Sequence, residues 1–192
     1  FLTPYYSLFP DTSAYYLTWV SGATGLRYQN VTNNLANPPT KEDFFMYDKV
    51  DEFHNTFIKK RANGYIYDSK FEVEGFSQGL AASRTFDVST SNIYTTGNQQ
   101  SSLTIRLGQG EDGIHHQKIS VDGTSVVDDT TYGYTLRHYT FPLVTTSLGN
   151  IVQVQTQNTN GNKDKSSVAY IKLTYPRVFN FDNEDYFEFY IE

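Results

Sequence analysis

Short runs of alternating apolar and polar residues, separated by turn residues, recur between about residues 71 and 178. One run places Leu103, Ile105 and Leu107 at every second position, as a strand with one buried face requires. Comparable runs lie near residues 71–73, 86–88, 119–127, 134–144, 151–154 and 168–175. No helical pattern separates them, so the sequence predicts an all-β fold, a jelly-roll β-sandwich, and not a parallel α/β sheet.

Turn-forming residues mark the connections between these runs. Asp122-Gly123 predicts a hairpin turn, and residues 158–165 form a polar loop. Pro176 is expected to interrupt the ladder of its strand, because proline has no N–H to donate. Beyond it, alternation resumes at residues 187–191 and predicts a further strand.

The first seventy residues are less regular and predict an additional N-terminal β-rich segment. Tyr15, Leu17 and Trp19 alternate as a strand does. Residues 41–61 have apolar positions that fit both a helix and extended strands, and the pattern leaves the two open.

The composition limits how a core can be built. Hydrophobic residues make up 38% of the 192 residues and include 16 Tyr and 14 Phe, so we expect a core made largely of aromatic rings. That content excludes a disordered chain. No stretch approaches the roughly 20 apolar residues of a membrane-spanning helix. The length fits one large domain, or one domain plus a fragment.

Charge and cysteine content exclude several classes of function. The net charge is −6 and the longest basic run is Lys59-Lys60-Arg61, so nucleic acid is not an expected partner. Without cysteine the chain has no disulfide, no zinc–thiolate site and no cysteine nucleophile. It starts at Phe1 with no signal-peptide pattern, so we expect a processed product or an excised piece.

Two glycine motifs match catalytic or nucleotide-binding patterns. Gly75-Phe76-Ser77-Gln78-Gly79 fits the G-x-S-x-G elbow of serine hydrolases, but only residues 80–84 after it are helix-like, so we favour a tight glycine turn. Residues 108–113 fit the dinucleotide pattern G-x-G-x-x-G, but a strand pattern comes next and Glu111 and Asp112 would repel a pyrophosphate. We expect an arch or hairpin loop there, with glycines at positive φ.

His115 and His116, with nearby acidic residues, are candidates for a ligand or metal site. Adjacent strand residues point to opposite faces, so we expect one packed and one solvated histidine and no shared ion. Calcium is the cation that the acidic loops favour, with Asp112, Asp128 and Asp129 as candidate ligands and oxygens of residues 158–164 nearby. Solvated turns are the default interpretation of these loops.

Trp19 and the tyrosines are candidates for a sugar-stacking platform, since aromatic faces offer apolar contact to pyranose rings. The same rings can also pack in a core. Because the chain has few aliphatic residues, we expect most of the rings to pack there. Together with the two histidines above, Trp19 completes the candidate ligand-binding residues, which are Trp19, His115 and His116.

Four strings agree, in order, with one known family. Residues 4–19 (Pro-Tyr-Tyr-Ser-Leu-Phe-Pro-Asp-Thr-Ser-Ala-Tyr-Tyr-Leu-Thr-Trp) resemble the stretch before the catalytic region of the type IX secretion sortase-like proteins of Bacteroidetes, relatives of the gingipain (C25) cysteine peptidases. Residues 72–76 are similar to the family's Gly-Glu-Gly-Trp element, from which Val73 and Phe76 depart. Residues 114–123 resemble its strand ending in an Asn-Gly turn, here Asp-Gly, and residues 170–177 its closing strand.

The resemblance implies a non-catalytic, surface-located region of a larger exported protein. In the family such a β-rich region precedes a caspase-like domain that carries a His and a Cys nucleophile. This chain has no cysteine, so the resemblance assigns no catalytic residue to it. The expected layout is an N-terminal β-rich segment at 1–70, a galactose-binding-like jelly roll at 71–178, and a linker or following domain that starts at 179–192.

These observations support three hypotheses of function. The first is an accessory domain of a secreted or cell-surface C25-like peptidase or sortase, which positions or presents a secreted protein substrate to a catalytic domain downstream in the same chain. The second is a carbohydrate-binding module for a surface glycan or lipopolysaccharide, with calcium ordering its loops. The third is a serine hydrolase that uses Ser77.

Overall fold

The computed structural model describes residues 4, 21–22, 40–58, 75–110 and 112–183. In chain order its strands are β1 (Phe45–Glu52), β2 (Thr56–Ile58), β3 (Gly75–Ser77), β4 (Ser83–Ser89), β5 (Gln100–Gly110), β6 (Ile114–Val121), β7 (Thr124–Tyr132), β8 (Leu136–Val144), β9 (Ile151–Asn158) and β10 (Lys165–Arg177). A 3₁₀ turn, Thr145–Ser147, comes after β8.

Eight of these strands form two antiparallel four-stranded sheets. The first sheet has the order β1-β10-β5-β8 and the second the order β4-β9-β6-β7. Strands distant in sequence pair, as β1 with β10 and β4 with β9, which is the jelly-roll arrangement. The predicted all-β jelly roll is confirmed. β2 and β3 form a separate two-stranded sheet.

The core between the two sheets is mainly aliphatic. Its fully buried cluster consists of Val88, Leu103, Ile105, Leu107, Ile119, Val121, Val152, Val154, Val168, Ile171, Leu173 and Tyr175. Rings such as Tyr47, Phe53 and Phe86 are partly buried around it. The expectation of a largely aromatic core is therefore wrong for the described residues, because the inward strand positions carry branched aliphatic side chains and the larger rings pack at the margins.

The predicted Asp122-Gly123 hairpin is confirmed. Val121 faces Thr124 across a two-residue turn that joins β6 and β7. Asp122 has φ 47° and Gly123 φ 80°, so both central residues are left-handed, as a type I′ turn requires.

Pro176 interrupts only one of the two ladders of β10. The ladder with β5 ends at Thr174, whereas the ladder with β1 continues through Pro176 to Arg177. The prediction therefore holds on one side of the strand, since a missing N–H removes a donor on one side only.

Two segments whose structure the sequence left open are now defined. Within residues 41–61, β1 and β2 are extended, which resolves the choice between helix and strand for the described part. The glycine motif at 108–113 spans the end of β5 and the crossing to β6 in the other sheet, as an arch. Its glycines do not have positive φ, contrary to expectation, because Gly108 and Gly110 are still part of β5.

The chain divides into two compact units. One comprises Phe1–Tyr6 and Asp43–Glu192 and contains the sandwich. The other is Ser7–Glu42, where the described residues include a turn at Ser21-Gly22. The predicted strands at 15–19, 71–73 and 187–191, with Trp19, lie outside the described residues. No helix of the described residues is long and apolar enough to cross a membrane.

Candidate functional site

Ser77, the residue of the G-x-S-x-G pattern, is a buried strand residue. It lies at the end of β3 with none of its surface exposed, and its Oγ accepts a hydrogen bond from Ser167 Oγ at 2.8 Å. The chain then leads into the strand β4 and not into a helix. A serine nucleophile needs substrate access and an adjacent base, and the described contacts of Ser77 supply neither.

His115 points into the sandwich at the end where β5 stops and β6 starts. Its side chain is 1% exposed, and its Nδ1 donates to Asp164 Oδ1 at 2.8 Å. Asn158 Nδ2 reaches the same oxygen at 2.9 Å. The backbone N–H groups of His116 and Asn160 donate to Asp164 Oδ2 at 3.0 and 2.9 Å. One buried carboxylate thus receives four hydrogen bonds.

The electrostatics of Asp164 reflect that arrangement. Burial by itself raises the pKa of this carboxyl, but the hydrogen bonds from His116 N, Asn160 N, His115 and Asn158 stabilise the anion and leave the pKa lowered overall. Sequence reasoning expected solvated turns in this loop. The prediction is wrong for Asp164, because the loop folds back and buries this side chain against His115.

His116 points outward, as predicted for the second of two adjacent strand residues. Its Nε2 lies 2.5 Å from Asp128 Oδ1 and its Nδ1 lies 2.7 Å from Thr159 Oγ1. The hydrogen bond from His116, aided by Lys118, lowers the pKa of Asp128 against a weaker opposing effect of burial. The expected division into one packed and one solvent-facing histidine is confirmed.

Of the three calcium candidates, Asp128 and Asp129 bind different partners. Asp128 pairs with His116 on the outer face, whereas Asp129 accepts from Arg137 Nη2 and from Tyr139 OH, each at 2.9 Å. Burial, followed by the hydrogen bond to Asp129, raises the pKa of Tyr139 to about 12. Calcium takes six to eight oxygen ligands. Within the described ranges no three His, Cys, Asp or Glu side chains group as a metal site requires.

The aromatic candidates are dispersed. Trp19 lies outside the described residues. Tyr170 and Tyr175 are buried, and Tyr132, at 68% exposed, stands at the end of β7 opposite the exposed Ile114. The tyrosines that the structure describes on these strands do not form a platform of several exposed rings.

A feature that sequence reasoning missed holds the segment after β10. Arg177, only 2% exposed, donates from Nη2 to Asp182 Oδ2 at 2.7 Å and to Asn180 O at 3.0 Å. Asn92 Nδ2 reaches both oxygens of Asp182 at 2.8 Å. Phe179 packs on Phe45 with ring centroids 5.1 Å apart. We call Arg177, Asp182, Asn92 and Asn180 the exit clamp. Its only signal in the sequence is a basic residue at a strand end followed by an acid in a polar turn.

The concave regions on the described part of the sandwich include a cavity and a groove. A cavity of about 500 Å³ is lined by residues 97–100 and 142–146, where β5 begins and β8 ends. A groove of about 210 Å³ lies on the outer face of the second sheet, beside Lys118, Ser120, Ser125, Gln155 and Gln157. Amides and hydroxyls line part of both, and in the cavity they stand beside the apolar side chains of Pro142, Leu143 and Val144.

The chain was compared with known proteins in three ways. No protein-family model and no curated protein matches it. Among solved structures, dimeric latent PorU from Porphyromonas gingivalis is similar, with a TM-score of 0.54 and 13% identity over 77% of this chain. The chain spans only 14% of PorU. At that identity the likeness shows the fold alone.

Two carbohydrate-binding modules are also similar. The CBM36-1 domain of a multidomain xylanase from the hindgut metagenome of Trinervitermes trinervoides has a TM-score of 0.39 and 12% identity, over 66% of this chain and 96% of that domain. A CBM36 module in complex with calcium and xylotriose has a TM-score of 0.35 and 13% identity, over 65% of this chain and 98% of that module. Both TM-scores lie below 0.5, so neither likeness carries an argument.

Proposed function

We propose that this chain is a non-catalytic accessory domain of a secreted or cell-surface C25-like peptidase or sortase. It positions, or presents substrate to, a catalytic domain located downstream in the same chain. The fold likeness to PorU supports the proposal, and so do the described histidines and Ser77, whose neighbours are structural partners. The predicted boundaries at residues 71 and 178 belong to the same proposal, with β1 added to the sandwich because it is a strand of the first sheet.

The exit clamp is the observation that carries a positioning role. A chain that leaves a domain through a flexible linker does not fix the direction of the next domain. Here a buried arginine holds Asp182, and Asn92 from the loop after β4 holds it from a second side. Tyr47 adds a cation–π contact, its ring centroid 4.9 Å from Arg177 Cζ. Residues 178–183 are therefore fixed to the sandwich.

The first test is to read the natural coding sequence beyond Glu192. A downstream domain of alternating strands and helices with a His and a Cys supports the proposal. A reading frame that stops, or continues into unrelated modules, contradicts it.

The second test loosens the clamp in the full-length protein. Asp182→Ala removes the carboxylate that Arg177 and Asn92 share, so we expect a broader distribution of domain orientations in small-angle X-ray scattering and slower cleavage of protein substrates. Asp87→Ala, at an exposed position on β4, is the control and should change neither. Unchanged scattering and cleavage in Asp182→Ala would contradict positioning by the clamp.

The second candidate function is carbohydrate binding, favoured by the two concave regions lined by amides and hydroxyls. Such side chains pair with sugar hydroxyls. Calorimetric titration with a broad panel of polysaccharides, with and without EDTA, tests both the binding and the calcium dependence. If none of the polysaccharides binds, the result counts against carbohydrate binding and does not affect the proposed accessory role.

A further inference from the structure

We propose that the cavity at the start of β5 binds one or two units of a neutral saccharide, with Gln99 as a hydrogen-bond acceptor. The inference rests on the carbohydrate-binding candidate above and assigns it a site and a ligand class. It differs from the sequence-based expectation, which placed sugar recognition on Trp19, exposed tyrosines and acidic loops.

The cavity has a fixed frame. Gln100 faces Val144 across the β5–β8 pair, so the two walls are held by strand pairing. Thr145, 4% exposed, donates from Oγ1 to the backbone carbonyl of Gln99 at 2.7 Å, and Ser101 Oγ lies 2.8 Å from the same hydroxyl. Ser147 Oγ donates to Val144 O at 2.7 Å. A ligand would meet walls that are already ordered, which lowers the entropic cost of binding.

Gln99 brings an unused acceptor to the cavity wall. Its Oε1 is buried and has no hydrogen-bond partner among the described residues. Gly97 makes room for this amide, since a Cβ at Gly97 would stand 2.7 Å from Gln99 Oε1. Other buried amide atoms without a partner occur at Gln78, Gln109 and Gln117, but of these four residues only Gln99 lines one of the two concave regions. Because Oε1 is covered by neighbouring atoms, the Gln99 amide must rotate into the cavity to meet a ligand hydroxyl. That contact would satisfy an acceptor that is otherwise costly to bury.

The lining selects against charge. None of the residues at 97–100 and 142–146 carries a charged side chain. An anion or cation bound there would lose its hydration without a counter-charge. The amides of Asn98 and Gln100 and the hydroxyl of Thr146 offer both donors and acceptors, as sugar hydroxyls require.

The apolar part of the lining fits the C–H face of a sugar ring. Val144 is 68% exposed at the rim and Pro142 lies beside it on β8. β8 is an edge strand, but Pro142 has no N–H, which disfavours the addition of a peptide strand at this point. The volume of about 500 Å³ lies within the usual range for ligand sites of about 300–1,000 Å³.

The groove on the second sheet is the weaker rival. Its volume of about 210 Å³ is below that range, and its one cation, Lys118, is 3.4 Å from Asp128. Its glutamines, Gln155 and Gln157, are exposed, so water satisfies them without a ligand.

The test is a ¹H–¹⁵N NMR titration of the 192-residue chain with glucose, galactose, mannose, xylose and N-acetylglucosamine, and with disaccharides that contain them. We expect shifts concentrated at residues 97–100 and 142–146. Gln99→Leu should weaken the tightest ligand about tenfold, the loss that one hydrogen bond to a buried acceptor produces. Thr146→Val and Val144→Ser, at exposed positions, should weaken it without affecting folding. Gln155→Leu, in the rival groove, is the matched control and should leave the affinity unchanged.

Each of the other outcomes contradicts a different part of the proposal. Shifts centred on residues 118–125 and 155–157, with loss in Gln155→Leu, would overturn the site and keep carbohydrate binding. Glucuronate and an extended peptide are titrated in the same way, and tighter binding of either in the cavity would overturn the ligand class. If no saccharide binds anywhere, the inference and the carbohydrate-binding candidate fall together.

Discussion

The two ends of the sandwich use polar residues in opposite ways. At the histidine end, where β5 stops, Asp164 receives four hydrogen bonds from side chains and backbone. At the cavity end, roughly 34 Å away by the rise of an eleven-residue strand, Gln99 Oε1 is buried with no partner among the described residues. Polar residues are common at both ends. Buried amide atoms without a partner among the described residues also occur at Gln109 and Gln117, but neither residue lines a concave region. An unsatisfied acceptor beside a cavity, and not residue type, therefore separates the candidate binding site from the structural cluster.

The histidine end should be the more sensitive to mutation. Asp164→Ala leaves His115, Asn158 and two backbone N–H groups without their acceptor, so we expect a loss of about 3–5 kcal/mol in the free energy of unfolding. Urea unfolding followed by circular dichroism measures it. Asp128→Ala, which removes an exposed carboxylate from the same end, is the control and should unfold close to the wild type. Equal midpoints for the two variants would show that the buried Asp164 carboxylate stabilises the fold no more than the exposed Asp128 does.

The same carboxylate predicts a pH dependence. The pKa of Asp164 is lowered in the folded chain. Its contribution to stability is therefore complete above the unfolded pKa of about 3.9 and is lost as the pH falls through the folded value. The difference in unfolding free energy between the wild type and Asp164→Asn should shrink as the pH is lowered from about 6 toward 2.5. A difference that is constant over that window would show that Asp164 does not titrate as proposed.

A pair of glutamine substitutions sharpens the comparison. Gln109 Oε1, at the histidine end, accepts from the hydroxyls of Thr131 and Thr135, so Gln109→Leu should cost about 1–2 kcal/mol. Gln99→Leu removes a buried oxygen that has no partner among the described residues, and should leave stability within about 0.5 kcal/mol or raise it. Chemical unfolding of both variants measures the two changes. A larger loss for Gln99→Leu would mean that its amide is structural.

The smallest effect is expected at the hairpin turn. Gly123 has φ 80° and a Cβ there would meet nothing within 4 Å. Gly123→Ala should therefore cost about 1 kcal/mol through backbone strain alone. Thermal unfolding, with Gly113→Ala as the control at an open glycine without positive φ, checks it. A loss of several kcal/mol would show that the turn also supports neighbouring packing.

Much of the fold could be predicted because strand signals are local. The alternation around Leu103, Ile105 and Leu107 and the Asp122-Gly123 turn both appeared as expected. The opposite faces of His115 and His116 agree with the period of a strand. The aromatic core was not found, because the count of Tyr and Phe says nothing of where in a sandwich each ring packs.

The candidate sites could not be predicted in the same way. Asp164 meets His115 across 49 positions, and Asp182 meets Asn92 across 90. The cavity joins residues 97–100 to 142–146 through the β5–β8 pair. None of these contacts has a motif, since they arise only when strands distant in sequence become neighbours.

By itself, the sequence determined the all-β class, the positions of several strands, the tight hairpin and the absence of cysteine chemistry in this chain, since these depend on side-chain period, turn residues and composition. Only the tertiary structure decided that Asp164 is buried, that Ser77 is a packing residue, that residues 178–183 are clamped and that Gln99 borders a cavity. The physical reason is that burial and hydrogen-bond satisfaction belong to the packed sheets and not to any one segment.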